Sequence, residues 1–156
     1  MTQTVVVSGN PRSGSRTLKL ATAVGEALSA EPPLIIDVAA LVPGLLIAGD
    51  PGTIAALDAI RSAKLLVVAT PTYKGSYTGV LKVLFDQFPA GALAGVTAVP
   101  VVTAGIQPQA DGAEGFLRHL LNELGADVAP GLTATEPELA DIAGVAARYA
   151  KSAATG

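Results

Sequence analysis

Apolar residues recur along this chain with two different periods. Short runs rich in valine and isoleucine are separated by longer stretches in which apolar positions return every third or fourth residue. That is the pattern of buried strands alternating with amphipathic helices. The runs "TVVVSG" (4–9), "PLIIDV" (33–38), "AKLLVVATP" (63–71) and "TAVPVVTAG" (97–105) are expected as strands. A fifth, "DVAPGLTAT" (127–135), is interrupted by Pro130 and Gly131, as at a sheet edge or a bulge. The first helix is expected over 15–30, with Leu18, Ala21, Thr22, Gly25 and Leu28 along one face. Others are expected over 54–62, over 81–88 between a start at Thr78 and Gly79 and a stop at Pro89, and over 137–151. A further helix over 114–124 has Phe116, Leu117, Leu120, Leu121 and Leu124 as its buried stripe and Gly125 as its end. The stretch 41–53, with two Pro-Gly pairs, reads as loop, and 152–156 as a frayed tail.

Strands and helices in alternation predict one α/β domain over residues 1–156, a doubly wound five-stranded parallel sheet with helices on both faces. Two strand orders fit: 2-1-3-4-5, or half of a classical dinucleotide-binding sheet. The length suits a single core, and 50% apolar composition with mean hydropathy of +0.50 argues against disorder.

Charge and composition narrow the chemistry. The net charge is −3 and the 10 Lys and Arg form no run, so no basic face is expected for a nucleic-acid backbone. The amino terminus lacks the basic and apolar regions of a secretory signal. Apolar runs such as "LLVVA" (65–69) fall far short of the roughly 20 residues that span a bilayer. A cytoplasmic location without membrane contact is therefore expected. With no cysteine and a single histidine, His119, a zinc site and a histidine-dependent triad are both disfavoured, and no metal site is expected. His119 is expected at the surface or an interface.

Three loops follow the strands that would meet at the switch point of such a sheet. The first, "SGNPRSGSRT" (8–17), gathers Ser8, Ser13, Ser15, Thr17, Arg12 and Arg16 in ten residues just before a helix. Free backbone N–H groups and the helix dipole favour an anion there, and the hydroxyls and guanidinium groups add donors, which makes a phosphate cradle. Its spacing is neither that of a Walker A loop nor that of the G-x-G-x-x-G fingerprint. The plainer reading is that Ser15 only caps the helix and both arginines are solvated. The second loop, "TPTYKGSYTG" (70–79), combines Pro71, two glycines that allow close approach, and Tyr73 and Tyr77, which suit either a flat ligand or packing. The third, "TAGIQPQADG" (103–112), begins with small residues that leave its N–H groups accessible.

The stretch "PTYKGSYTGVLKVLFD" (71–86) resembles the pattern P-x-Y-x-x-S-x-x-G-x-L-K-x-x-x-D of the NADPH-dependent FMN reductase family, and "GNPRSGSRT" (9–17) is similar to its G-S-x-R-x-x-S phosphate loop. The resemblance runs from Thr4 to about Asp127, with Asn10 where the family usually has Ser. Thr72 and Lys74 replace the Glu and Asn of the azoreductase-like branch, which points to the small flavin reductases that partner sulfonate monooxygenases. The resemblance implies a flavodoxin-like fold of order 2-1-3-4-5 that binds FMN without covalent linkage. It implies Ser8, Arg12, Ser13, Ser15, Arg16 and Thr17 around the phosphate and ribityl end. Pro71, Thr72, Tyr73 and Lys74 would border the isoalloxazine, and Thr103, Ala104 and Gly105 would present donors to its pyrimidine side.

The expected function is an NAD(P)H-dependent FMN reductase that transfers hydride from a reduced nicotinamide to FMN, with a flavin-dependent monooxygenase as an expected partner. Alternatives are a quinone or azo-dye reductase with bound FMN, or a flavin-binding electron carrier without nicotinamide turnover. No catalytic side chain is assigned, because the flavin carries the redox chemistry. The resemblance also implies a homodimer or homotetramer, with Tyr77, Leu81, Leu84 and Phe85 in its interface. Lys82 and Asp86, at i and i+4, are expected to form an intrahelical pair.

Overall fold

Val5, Val6 and Val7 are all fully buried although neighbouring residues of a strand point to opposite faces. The strand that holds them must therefore be covered on both sides. The computed structural model describes residues 3–155 and shows how. Strand β1 (Thr4–Ser8) pairs with β2 (Leu34–Asp37) on one side and β3 (Leu65–Pro71) on the other. β3 pairs with β4 (Thr97–Ala104), whose outer edge takes β5 (Asp127–Val128) and then β6 (Leu132–Thr135). Every pairing is parallel and the order is β2-β1-β3-β4-β5, the 2-1-3-4-5 arrangement of the flavodoxin-like fold.

Alternate strand residues feed two separate apolar layers. Val5, Val7, Leu66 and Val68 meet Ile60 of α2 (Pro51–Ser62), Leu81, Leu84 and Phe85 of α3 (Gly79–Phe85), and Leu117 and Leu121 of α4 (Gln107–Glu123). Val6, Val67 and Ala69 face Leu20 and Val24 of α1 (Arg16–Leu28) and Val145 and Ala146 of α5 (Ile142–Thr155). Among the described residues no helix is long and apolar enough to cross a membrane.

Several boundaries differ from the sequence expectation. The fifth strand is split in two, and Pro100 of β4 supplies a physical reason. Val96 and Ala98 turn their carbonyls to this edge, accepting from Asp127 N and Ala129 N at 2.9 Å each. By the two-residue alternation of a strand, Pro100 faces the same edge without an N–H to give. The outer strand lapses at 129–131 and resumes opposite Val101. Helix α2 begins at Pro51 because Asp50 caps it, its Oδ2 accepting from Thr53 N at 3.0 Å, so the Asp-Pro-Gly read as loop is a helix start. Helix α4 begins at Gln107, ahead of the expected 114. Its buried face runs through Ala110, Ala113, Leu117 and Leu121, leaving Phe116 57% exposed. The close-fitting alanines set the phase of that helix. Residues 136–141 form a 3₁₀ turn, and 152–155, expected to fray, continue α5 as an exposed helical turn. Leu81, Leu84 and Phe85 lie in the chain's own core and are unavailable to the interface expected of them. Lys82 Nζ and Asp86 Oδ1 form the expected pair at 2.6 Å.

Two positions near the end of β1 bear on stability. A Cβ on Gly9 would lie 2.8 Å from Leu81 Cβ, inside contact distance of the helix that follows the second loop. Gly9→Ala is expected to lower stability by about 1–3 kcal/mol, read as a lower urea midpoint with an unchanged slope. Ser8 Oγ is buried with no hydrogen-bond partner among the described residues. Ser8→Ala is expected to leave the midpoint unchanged or to raise it by up to about 1 kcal/mol; a loss of more than that would show that the hydroxyl is satisfied.

Candidate functional site

The residues that leave β1 fold back on themselves through their own polar side chains. Asn10 is buried; its Oδ1 accepts from Arg12 N at 2.9 Å, and its Nδ2 donates to Thr17 Oγ1 at 3.3 Å. Thr17 Oγ1 lies 3.3 Å from Thr103 Oγ1, which ties the loop and the start of α1 to the end of β4. Gly14, at φ 65°, donates its N–H to Asp37 Oδ2 at 3.2 Å and so ties the loop to the end of β2. Ser15 caps α1 by accepting from Leu18 N at 3.1 Å. The N–H groups of Arg16 and Thr17, in the first turn, have no intrahelical acceptor and face the loop end of the sheet. Ser15 thus caps the helix, and the cap leaves these two N–H groups free.

The loop after β3 is pinned at both ends. Tyr73 N donates to Ser76 O at 2.9 Å and Ser76 N to Tyr73 O at 3.2 Å, around Lys74 and Gly75 with φ of 53° and 80°. This tight turn needs positive φ at both central positions, and Gly75 supplies one without strain. Thr72 Oγ1 donates to Thr103 O at 2.9 Å, and Thr78 Oγ1 donates to Gly9 O while capping α3.

These segments enclose a cleft of ≈ 520 Å³ at the carboxyl ends of the strands, where an open parallel sheet takes its ligands. Of the expected residues, Arg12, Ser13, Ser15, Arg16, Thr17, Pro71, Tyr73 and Thr103 line it. Thr72 braces it from beneath through Thr103. Ser8 lies wholly buried, and Lys74 stands exposed at the turn; neither lines the cleft. Ala104 is buried and Gly105 exposed, both just outside the lining. His119 is exposed on α4, 3.9 Å from Glu123.

Asn10, Gly14, Glu136 and Leu139 also line the cleft, and sequence reasoning did not select them. Glu136 and Leu139 follow β6, so applying the carboxyl-end rule to the fifth strand would have found them. Their turn is fixed by a capping box in which Thr135 N and Oγ1 donate to Glu138 Oε1 at 3.0 and 2.9 Å. Those bonds hold the Glu138 carboxyl below its ordinary value. The cap is therefore in place above that ordinary value and is lost as pH falls through the lowered one. Glu136 Oε2 meets Arg16 Nη2 at 2.6 Å across the cleft.

A larger depression, ≈ 660 Å³, lies at the opposite end of the sheet among Gln3, Leu28, Ser29 and Lys64. It sits at the carboxyl end of α1, where unpaired carbonyls disfavour an anion. Size and donor chemistry therefore point to different ends of the sheet, and donor chemistry selects the smaller cleft.

Comparison with known proteins agrees with this geometry. The chain is 36% identical over 146 residues to "NADH-dependent FMN reductase SfnF" of Pseudomonas fluorescens (strain Pf0-1), covering 88% of this chain and 78% of that protein. It is 36% identical over 143 residues to "FMN reductase (NADPH)" of Pseudomonas aeruginosa, covering 86% and 77%. Among solved structures it matches an oxidoreductase from Corynebacterium diphtheriae with a TM-score of 0.82 and 29% identity, over 99% of this chain and 96% of that one. It also matches the apo form of the NADH:FMN oxidoreductase EMOB with a TM-score of 0.76 and 28% identity, over 97% and 90%. The sequence profile described as NADPH-dependent FMN reductase matches residues 2–138, and the chain belongs to that family.

Proposed function

We propose that this protein is an NAD(P)H-dependent FMN reductase. The observation that carries the reading is the convergence of the donor-rich loop 10–17, the start of α1 and the Pro71–Tyr73 wall on one cleft. The donor set fits the phosphate of FMN: two guanidinium groups, three hydroxyls and the first N–H groups of a 13-residue helix converge there. A dipole-favoured helix start and charge-assisted bonds are what a phosphate monoester needs. When bound, the flavin supplies the hydride acceptor.

The protein's part is to hold and orient. Arg12, Ser13, Ser15 and Thr17 anchor the phosphate end, while Asn10 and Thr103 fix Thr17 in place from behind. Pro71 and Tyr73 form a wall beside the ring, and Thr72 holds that wall against the end of β4. Tyr73, 44% exposed, offers its face to a planar ligand. N–H groups near Gly105, exposed after β4, are available for charge that develops on the pyrimidine side. No side chain needs to move a proton for hydride transfer.

Released reduced flavin would serve a flavin-dependent monooxygenase, and use of a reduced nicotinamide supports a cytoplasmic location. We also propose a homodimer or homotetramer. Leu46 and Ile47, 85% and 62% exposed, support this, since they follow Leu45, whose carbonyl accepts from Gln87 Nε2 just beyond α3. Sedimentation is expected to show a species of at least twice the chain mass.

Anaerobic addition of NADPH or NADH to the protein with FMN is expected to bleach the flavin band at a catalytic rate with one or both nucleotides. Binding without bleaching would favour an electron carrier instead, and no binding would overturn the reading of loop 10–17. Thr17→Val, which breaks the link between Asn10 and Thr103, is expected to raise the Kd for FMN about tenfold. Fluorescence titration checks this.

A further inference from the structure

We propose that Glu136 sets how tightly this protein holds the flavin phosphate, by competing with it for Arg16. The inference rests on the FMN reductase reading and concerns whether the flavin stays or leaves. Arg16 stands in the first turn of α1, beside the N–H groups and hydroxyls of the phosphate loop, yet its guanidinium is paired with Glu136 at 2.6 Å. Both side chains are 54% exposed, so water and salt reach the pair and it can be opened. The Glu136 side chain has no other hydrogen-bond or ion-pair partner among the described residues. The fold of its turn depends instead on Thr135 and Glu138.

The charges around the loop sharpen the point. Arg12 and Arg16 are matched there by Glu136 and by Asp37, which accepts from Gly14 N. The cradle is therefore formally neutral before any ligand arrives. A phosphate monoester brings about −1.5 to −2 charges at neutral pH. It must take Arg16 from Glu136 or share it with a carboxylate that cannot donate a hydrogen bond and that repels it. Asp37 is committed to the backbone of Gly14 and Ala39 and acts as part of the scaffold. Glu136 is the adjustable member. Hydroxyls and helix N–H groups keep the site selective for phosphate while Glu136 limits its affinity, so FMN exchanges with solution and behaves as a substrate.

The test compares FMN with riboflavin, which has the same ring and no phosphate, by fluorescence titration of the full chain. Glu136→Gln is expected to lower the Kd for FMN about fivefold and to slow FMN release in proportion, with the Kd for riboflavin unchanged. Glu136→Asp, which keeps the charge, is expected to stay nearer the unaltered protein than Glu136→Gln does. In an Arg16→Gln background the effect of Glu136→Gln is expected to shrink below about twofold, since the contested group is gone. Equal shifts for FMN and riboflavin, or no shift for FMN, would overturn the proposal while the FMN reductase reading stands. Failure of the unaltered chain to bind FMN would instead overturn the functional reading on which it rests.

Discussion

A parallel strand buried on both faces cannot return to its neighbour by a tight turn; each connection must cross the sheet, and here helices make most of those crossings. That constraint orders the whole molecule. It sets helices α1 and α5 against one face and α2, α3 and α4 against the other. It also brings the loops that leave β1, β3, β4 and β6 to one edge. The free N–H groups at the start of α1 stand at that edge because the helix that covers β1 has to begin there. The place where an anion would be held follows from the packing of valines.

Within that frame, threonine hydroxyls hold the site together. Thr17, Thr72, Thr78 and Thr103 link segments up to 86 residues apart in sequence, through side chains that are buried or partly buried. Each hydroxyl can donate and accept, so a short chain such as Asn10–Thr17–Thr103 satisfies its members with no charge inside the fold. The charged groups stay at the rim, where Arg12, Arg16 and Glu136 are exposed. The interior fixes geometry and the rim adjusts electrostatics.

Most of the architecture was legible in the sequence. Valine-rich runs marked the inner strands because they are apolar without a helical period, and the loop 8–17 stood out by its density of donors. Legibility failed where local signals conflict with packing. Proline and glycine at 51–52 read as loop although Asp50 makes them a helix start. Phe116 read as core because it is large, while the alanines at 110 and 113 decide which face of α4 fits the sheet. Leu81, Leu84 and Phe85 were expected at an interface because the helix they resemble packs at a dimer contact, whereas here they fill the chain's own core. Glu136 follows the interrupted fifth strand, where the carboxyl-end rule points, but its pairing with Arg16 has no signature until the fold sets the two together.

The lapse in the outer strand at Pro100 reaches beyond topology. An edge strand normally offers an unbroken row of backbone donors and acceptors to any other extended chain. Here the outer ladder is cut into pieces of 2 and 4 residues by the missing donor of Pro100 and the bend at Pro130 and Gly131. A foreign strand would find no continuous register to follow. The same proline that shortens the sheet thus blunts this one edge against strand addition, leaving β2 as the sheet's only uninterrupted edge among the described residues.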